Sequence, residues 1–112
     1  PEAVDEARRS IMAGKPLAAT GKPTIADGLQ AGIGKRNFQL IQRGVKQIVT
    51  VSERQIKNAL RLVFERLKIV IEPSAAVPLA AICAGQINVK DCHIGIILSG
   101  GNIDLERMQK FI

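Results

Sequence analysis

The sequence is poor in the residue types that mark several specialised classes of protein. Among its 112 residues there is no Trp or Tyr, and there are only three Phe, two Cys and one His. Two thiols in a chain without a signal-like N-terminus favour a reduced, cytoplasmic setting over a disulfide scaffold. Since aromatic side chains are scarce, Ile, Leu, Val and Ala have to fill the core. That composition favours one modest domain in which helices pack on a sheet.

Long apolar runs are missing as well. The longest, 75–84, is too short to span a bilayer and contains Pro78, so we expect no membrane partner. The formal charge of +6 does not identify a partner by itself. Proteins that bind single-stranded nucleic acids usually stack the bases on several aromatic side chains, and here only Phe38 lies among the basic residues. We therefore expect no nucleic-acid partner and interpret the following residues as a solvated basic face: Lys35, Arg36, Arg43 and Lys46.

Helical periodicity and capping signals occur in five parts of the chain. The clearest helix follows Ser52, whose hydroxyl can form a capping box with Gln55. Another helix can begin at Pro73, because proline suits the first helical turn, and Pro78 should bend it or delay its start. The predicted helices lie within 1–14, near 38–41, over 53–67, from 73 to about 85, and within 104–111.

Apolar segments rich in β-branched residues separate these helices. We predict strands over 45–52 and 93–98, with 69–71 as a brief strand or an extended link. The alternation of helix and strand predicts an α/β fold whose sheet is buried on both faces. Such a sheet usually has more strands than these. We therefore interpret residues 1–112 as a single partial domain, with helices packed on an incomplete sheet, and the lack of an initiator Met at Pro1 agrees with this.

The last predicted strand ends in a polar, glycine-rich corner. Ser99 follows the strand directly, and Gly100 and Gly101 come next. In open α/β sheets, small molecules bind in the crevice beyond the carboxyl ends of the strands, and glycines let the backbone approach a ligand closely. The sequence therefore predicts a ligand site at this corner, with the Ser99 hydroxyl facing it.

Four short motifs, taken in order, resemble a known enzyme group. They cover almost the whole chain, and their shared order and compatible spacing are more specific than any one of them. The chain resembles the C-terminal third of the fold-type II pyridoxal-phosphate enzymes, in the branch of serine racemases and serine/threonine dehydratases. The resemblance implies part of the three-layer large domain that binds the cofactor. The motifs are 25–28 (IADG), 49–52 (VTVS), 72–75 (EPSA) and 98–104 (LSGGNID).

The resemblance also implies a set of cofactor-binding residues. Ser99 would face the pyridine nitrogen of pyridoxal phosphate, Gly28 would lie against one face of the ring, and Glu72 and Gly100 would line the same pocket. The implied reaction is α,β-elimination or proton exchange at Cα of L-serine or L-threonine. Structural alternatives exist for three of these residues. Ser99 can cap a turn, Gly28 can open a helix, and Glu72 can act as a helix N-terminal charge.

Two further sites follow from the same resemblance. Glu6 and the carbonyl of Val4 match positions that hold a divalent cation such as Mg²⁺ or Ca²⁺, although the family usually has Asp where Glu6 stands. Lys68 and Asn102 match contacts to ATP at the interface of a homodimer. In a dehydratase that lacks nucleotide control, those two residues would be ordinary surface residues.

The family's Schiff-base lysine and phosphate-binding loop belong to the first two thirds of its pattern. We therefore expect the isolated chain to be inactive without the remainder of the enzyme. Racemase and dehydratase share the residues named above, so both activities stay open. A second hypothesis is a non-catalytic regulatory or assembly module that offers an exposed sheet edge to a partner chain. Size-exclusion chromatography separates the two, because a module should run as a monomer or defined dimer and a fragment should aggregate.

Overall fold

The computed structural model describes residues 1–112 and is built from helices and irregular segments. Two single 3₁₀ turns span Glu2–Val4 and Asp27–Leu29. All five predicted helices are present, although α2 is longer and α5 shorter than predicted. They are α1 (Glu6–Ala13), α2 (Lys35–Gly44), α3 (Glu53–Leu67), α4 (Pro73–Cys83) and α5 (Leu105–Gln109). No helix of the molecule combines the length and apolar character needed to cross a membrane.

Helix α3 forms where its local signals place it. The Ser52 hydroxyl accepts the Gln55 N–H at 3.3 Å, and the Gln55 side chain accepts the Ser52 N–H at 2.8 Å, which confirms the capping box. Its apolar stripe faces the core, with Ile56 and Leu60 almost completely buried. The helix ends at Lys68, which adopts the left-handed conformation with φ of 58°.

Helix α4 packs its small side chains against α3. It begins at Pro73 and contains Pro78, so of the two predicted effects of Pro78 the delayed start does not occur and the bend stays a prediction. Proline at the first helical position removes an N–H that would have had no partner in the helix, and its fixed φ suits helical geometry. Buried alanines let the two helices approach closely. Gly85, with φ of 67°, follows the end of the helix as predicted.

The predicted strands are not formed in this chain. Residues 93–98 and 69–71 make no backbone hydrogen bond, and 45–52 is joined to another segment only by the Glu2 N–H, which donates to the Val51 carbonyl at 2.9 Å. A strand is defined by the ladder it makes with its neighbours, so β-branched composition alone does not produce one. The predicted sheet, and with it the strand position of His93, is therefore absent from these 112 residues.

An apolar groove separates two of these irregular segments. Residues 47–49 and 94–96 line its sides, and Val77, Ala81 and Ile82 of α4 line its floor. Its volume is about 350 Å³. The main core lies largely between α4 and α3, and Val51 and Ala81 border both the core and the groove. The core consists of Ala26, Val51, Ile56, Ala59, Leu60, Val63, Ile71, Ala75, Ala76, Ala80 and Ala81.

Candidate functional site

Two distant parts of the chain meet at the N-terminus of α4. The Glu72 N–H donates to the Gly100 carbonyl at 3.2 Å. A Cβ atom added to Gly100 would lie 2.8 Å from Oε2 of Glu72, so the carboxylate rests directly against the glycine backbone. Gly100 also has φ of 81°, a conformation that side chains disfavour. The backbone conformation therefore favours glycine at this position, and a side chain here would also displace the Glu72 carboxylate.

The 3₁₀ turn at Asp27–Leu29 approaches the same carboxylate from the other side. The Gly28 N–H donates to Oδ1 of Asp27 at 3.0 Å and to the Ser74 hydroxyl at 3.1 Å. A Cβ atom on Gly28 would lie 2.9 Å from Oγ of Ser74 and 3.5 Å from Oε1 of Glu72. The side of Gly28 that lacks a side chain therefore faces the Ser74 hydroxyl and the Glu72 carboxylate.

These contacts define a small cluster of polar groups and glycines at the start of α4. We call this cluster the glycine cleft, and its members are Gly28, Glu72, Ser74, Ser99 and Gly100. The structure thus brings together Gly28, Glu72 and Gly100, three of the four residues that the resemblance assigned to cofactor binding, and the fourth, Ser99, directly precedes Gly100 in the chain. It also adds Ser74, which lies inside a quoted motif but had no predicted role.

The structure weighs against the alternative role suggested for Ser99. Its side chain is exposed, and its hydroxyl takes part in no hydrogen bond, so it does not cap a turn. Glu72 is the N-cap residue of α4, but its side chain caps no backbone N–H. The hydroxyl and the carboxylate are thus both free of internal hydrogen-bond partners. Such groups at the rim of a cleft are available to a ligand.

An ion pair links the Gly28 turn to the last helix. Nη1 of Arg107 donates to Oδ2 of Asp27 at 3.2 Å, while the other oxygen of Asp27 accepts the Gly28 N–H. Both side chains are nearly half exposed, so the pair contributes little to stability. No sequence signal marked Asp27 or Arg107, because they lie 80 positions apart and neither belongs to a motif that pairs them.

The predicted cation site holds an unsatisfied buried carboxylate. Glu6 is only 4% exposed, and its Oε2 atom has no hydrogen-bond partner. The Val4 carbonyl accepts no backbone hydrogen bond. Both residues line a cavity of about 300 Å³ that also reaches Gly28. No group of three or more His, Cys, Asp or Glu side chains is available, so Glu6 and backbone oxygen are the ligands this region offers.

The acidic neighbour of Glu6 is already engaged. Oδ1 of Asp5 accepts a hydrogen bond from Nε of Arg9 at 2.8 Å. That hydrogen bond lowers the pKa of Asp5 below its usual value. Asp5 is therefore paired as a carboxylate, in contrast to the unpartnered oxygen of Glu6.

The two residues predicted to contact a nucleotide lie on segments that meet where Gly101 approaches the Val70 carbonyl. Lys68 lies at the end of α3 and Asn102 lies just beyond the glycine cleft. Both are exposed, and neither side chain makes a hydrogen bond or ion pair within the chain. The chain therefore presents two exposed polar side chains that are free of internal partners.

Comparison with known proteins gives a consistent result. Residues 1–100 match the family model described as pyridoxal-phosphate dependent enzyme. The chain is 43% identical to the serine racemase of Dictyostelium discoideum, across all of this chain and 36% of that protein. It is 37% identical to the beta-hydroxyaspartate dehydratase of Paracoccus denitrificans, across 96% of this chain and 34% of that protein.

A solved structure shows the same local fold. The threonine deaminase from T.th. superposes with a TM-score of 0.87 and 40% sequence identity, over 94% of this chain and 38% of that one. This chain therefore spans only about a third of the length of the relatives it matches.

Proposed function

Because the chain belongs to the pyridoxal-phosphate dependent enzyme family, we propose that it is the C-terminal part of a serine racemase or serine/threonine dehydratase. The observation that carries the proposal is the glycine cleft, in which Glu72 lies between Gly28 and Gly100 and the Ser99 hydroxyl stays free. The named relatives act on serine, threonine or hydroxyaspartate. A small hydroxy amino acid is the substrate class that they share.

Three residues of the glycine cleft suit a cofactor of this kind. When bound, pyridoxal phosphate supplies the electron sink for chemistry at Cα of an amino acid. The Ser99 hydroxyl offers a neutral hydrogen-bond partner to the ring nitrogen, which holds the ring less strongly protonated than a carboxylate would. Gly28 presents backbone without a side chain to the ring. Glu72 supplies a carboxylate at the wall of the pocket.

The test uses the full-length enzyme that contains this chain. Purified with pyridoxal phosphate, it should show the absorbance of bound cofactor. From L-serine or L-threonine it should form pyruvate, 2-oxobutyrate or D-serine. Pyruvate or 2-oxobutyrate alone identifies a dehydratase, whereas D-serine identifies a racemase. Ser99→Ala should alter the cofactor spectrum more than Ser99→Thr does. A protein with neither cofactor absorbance nor any of the three products would contradict the proposal.

The complete enzyme would also supply the missing sheet. We propose that 45–52 and 93–98 become strands once further strands fill the groove between them. Two observations support this: the backbone groups of 93–98 are unpaired, and α4 is apolar towards the groove as well as towards α3. Amides 94–98 should be strongly protected from hydrogen exchange in the full-length enzyme. Rapid exchange there would show that these strands do not form.

A divalent cation at Glu6 and the Val4 carbonyl is a further part of the proposal. The unpartnered, buried Oε2 of Glu6 supports it, since an isolated buried carboxylate oxygen is costly without a cation or donor. Adding Ca²⁺ or Mg²⁺ to EDTA-treated full-length enzyme should raise its unfolding temperature. Glu6→Gln should abolish that rise, and Asp5→Asn should retain it because Asp5 is paired with Arg9. An unchanged response in Glu6→Gln would place the cation elsewhere.

ATP binding at a homodimer interface would use Lys68 and Asn102. Their exposure and lack of internal partners support this role. Lys68→Ala should weaken ATP binding to the full-length enzyme in calorimetry, while Lys46→Ala, a change at another exposed lysine, should not. Light scattering of the same samples gives the oligomeric state. If the two substitutions weaken ATP binding equally, Lys68 contributes only its positive charge and makes no specific contact with ATP.

A further inference from the structure

We propose that Ser74 is a positioning residue whose hydroxyl fixes the Gly28 turn against α4 and so sets where the Gly28 backbone meets the cofactor ring. This inference rests on the function proposed above. The Gly28 N–H has two acceptors, and one of them, Oδ1 of Asp27, belongs to the adjacent residue. The Ser74 hydroxyl at 3.1 Å is therefore the only hydrogen bond from this amide to another part of the fold.

The two sides of this bond differ in rigidity. Ser74 is the second residue of α4, and its neighbours Pro73, Ala75 and Ala76 are all buried. The turn at Asp27–Leu29 is exposed and is a single 3₁₀ turn, a conformation with poor internal hydrogen-bond geometry. Helix α4 is therefore the more rigid of the two, and the hydrogen bond to the Ser74 hydroxyl restrains Gly28 relative to it.

The same hydroxyl controls distance as well as orientation. A Cβ atom on Gly28 would lie 2.9 Å from Oγ of Ser74 and 3.5 Å from Oε1 of Glu72. The glycine backbone thus sits as near to α4 as a bare glycine allows. Loss of the Ser74 hydroxyl leaves the Gly28 N–H with only the local Asp27 acceptor, and the turn is then held only by its remaining contacts, among them the exposed Arg107–Asp27 ion pair. The position of the backbone that would face the cofactor ring depends on that hydrogen bond.

The experiment measures cofactor binding in the full-length enzyme. Apoenzyme is titrated with pyridoxal phosphate, and the bound fraction is followed by absorbance and fluorescence rather than by activity. Ser74→Ala should weaken binding about fivefold, the factor that corresponds to about 1 kcal/mol for one lost hydrogen bond. Ser74→Thr should restore binding because it retains the hydroxyl. Ser74→Cys should fall between them, since a thiol is a weak acceptor.

Ser10 supplies a matched control. It is fully buried, and its hydroxyl accepts the Leu17 N–H at 2.9 Å, so it makes the same kind of bond away from the cleft. Ser10→Ala should lower the unfolding temperature and leave cofactor binding unchanged. Wild-type affinity in Ser74→Ala, or equal weakening by Ser10→Ala, would overturn the positioning role alone. An unmodified enzyme that binds no pyridoxal phosphate would overturn the proposed function itself and this role with it.

Discussion

The α3–α4 pair and the glycine cleft lie side by side but are held together in different ways. The helix pair buries Ile56, Leu60 and Val63 against the alanines of α4, and α3 carries a complete capping box. The cleft depends on single hydrogen bonds between distant segments and leaves the Ser99 hydroxyl unused. The chain therefore contains a stable helix pair, α3 and α4, which we call the base. The glycine cleft beside it, which we call the rim, has polar groups that are available to a ligand. Contacts within the base should govern folding, and contacts within the rim should govern binding.

The largest expected effect on stability comes from a substitution in the base. Leu60 is 1% exposed, so Leu60→Ala should lower the free energy of unfolding of the full-length enzyme by about 2–5 kcal/mol. Leu62 lies on the same helix and is 37% exposed, so Leu62→Ala should cost about 1 kcal/mol or less. Denaturant unfolding measures both values. Similar losses at the two positions would show that α3 is covered on both faces in the complete enzyme.

A substitution in the rim should reduce cofactor affinity strongly and should reduce stability less than Leu60→Ala does. Gly100→Ala adds a Cβ that would lie 2.8 Å from Oε2 of Glu72, in a backbone with φ of 81°. We expect cofactor affinity to fall by about tenfold or more, which corresponds to about 1.4 kcal/mol, because Glu72 has to move. The free energy of unfolding should fall by the cost of the left-handed backbone, about 1–2 kcal/mol, which is less than the loss expected for Leu60→Ala.

Gly85 isolates the two causes. Its φ is 67°, and a Cβ there would meet nothing within 4 Å. Gly85→Ala should therefore reproduce the backbone cost of Gly100→Ala without the loss of cofactor affinity. If Gly100→Ala binds pyridoxal phosphate as tightly as Gly85→Ala does, the contact with Glu72 has no part in binding.

The same division explains what could be predicted from sequence. The helices were predicted because caps and apolar periodicity are local signals, as Ser52 with Gln55 shows. The strands at 45–52 and 93–98 were not confirmed, since a ladder depends on partners that the 112 residues do not contain. The family was identified from the order of four motifs, and the match over residues 1–100 confirms it.

The cleft was predictable only in part. Motif resemblance pointed to Gly28, Glu72 and Gly100, but the packing of one carboxylate between two glycines depends on folding and has no sequence signature. Ser74 was missed for the same reason, because its hydroxyl bonds to a residue 46 positions away. The burial of Glu6 was also unexpected, since a charged residue in a first helical turn is usually solvated.

The smallest expected effect sharpens the boundary between base and rim. The Arg107–Asp27 ion pair also holds the Gly28 turn, but both side chains are nearly half exposed and solvent weakens their attraction. Arg107→Ala should therefore weaken cofactor binding by about twofold, with the difference vanishing at high salt. Arg61→Ala removes a comparable exposed pair, with Glu65 on α3, and should leave cofactor binding unchanged. A loss in Arg107→Ala as large as that in Ser74→Ala would mean that α5 belongs to the rim and positions Gly28 as firmly as α4 does.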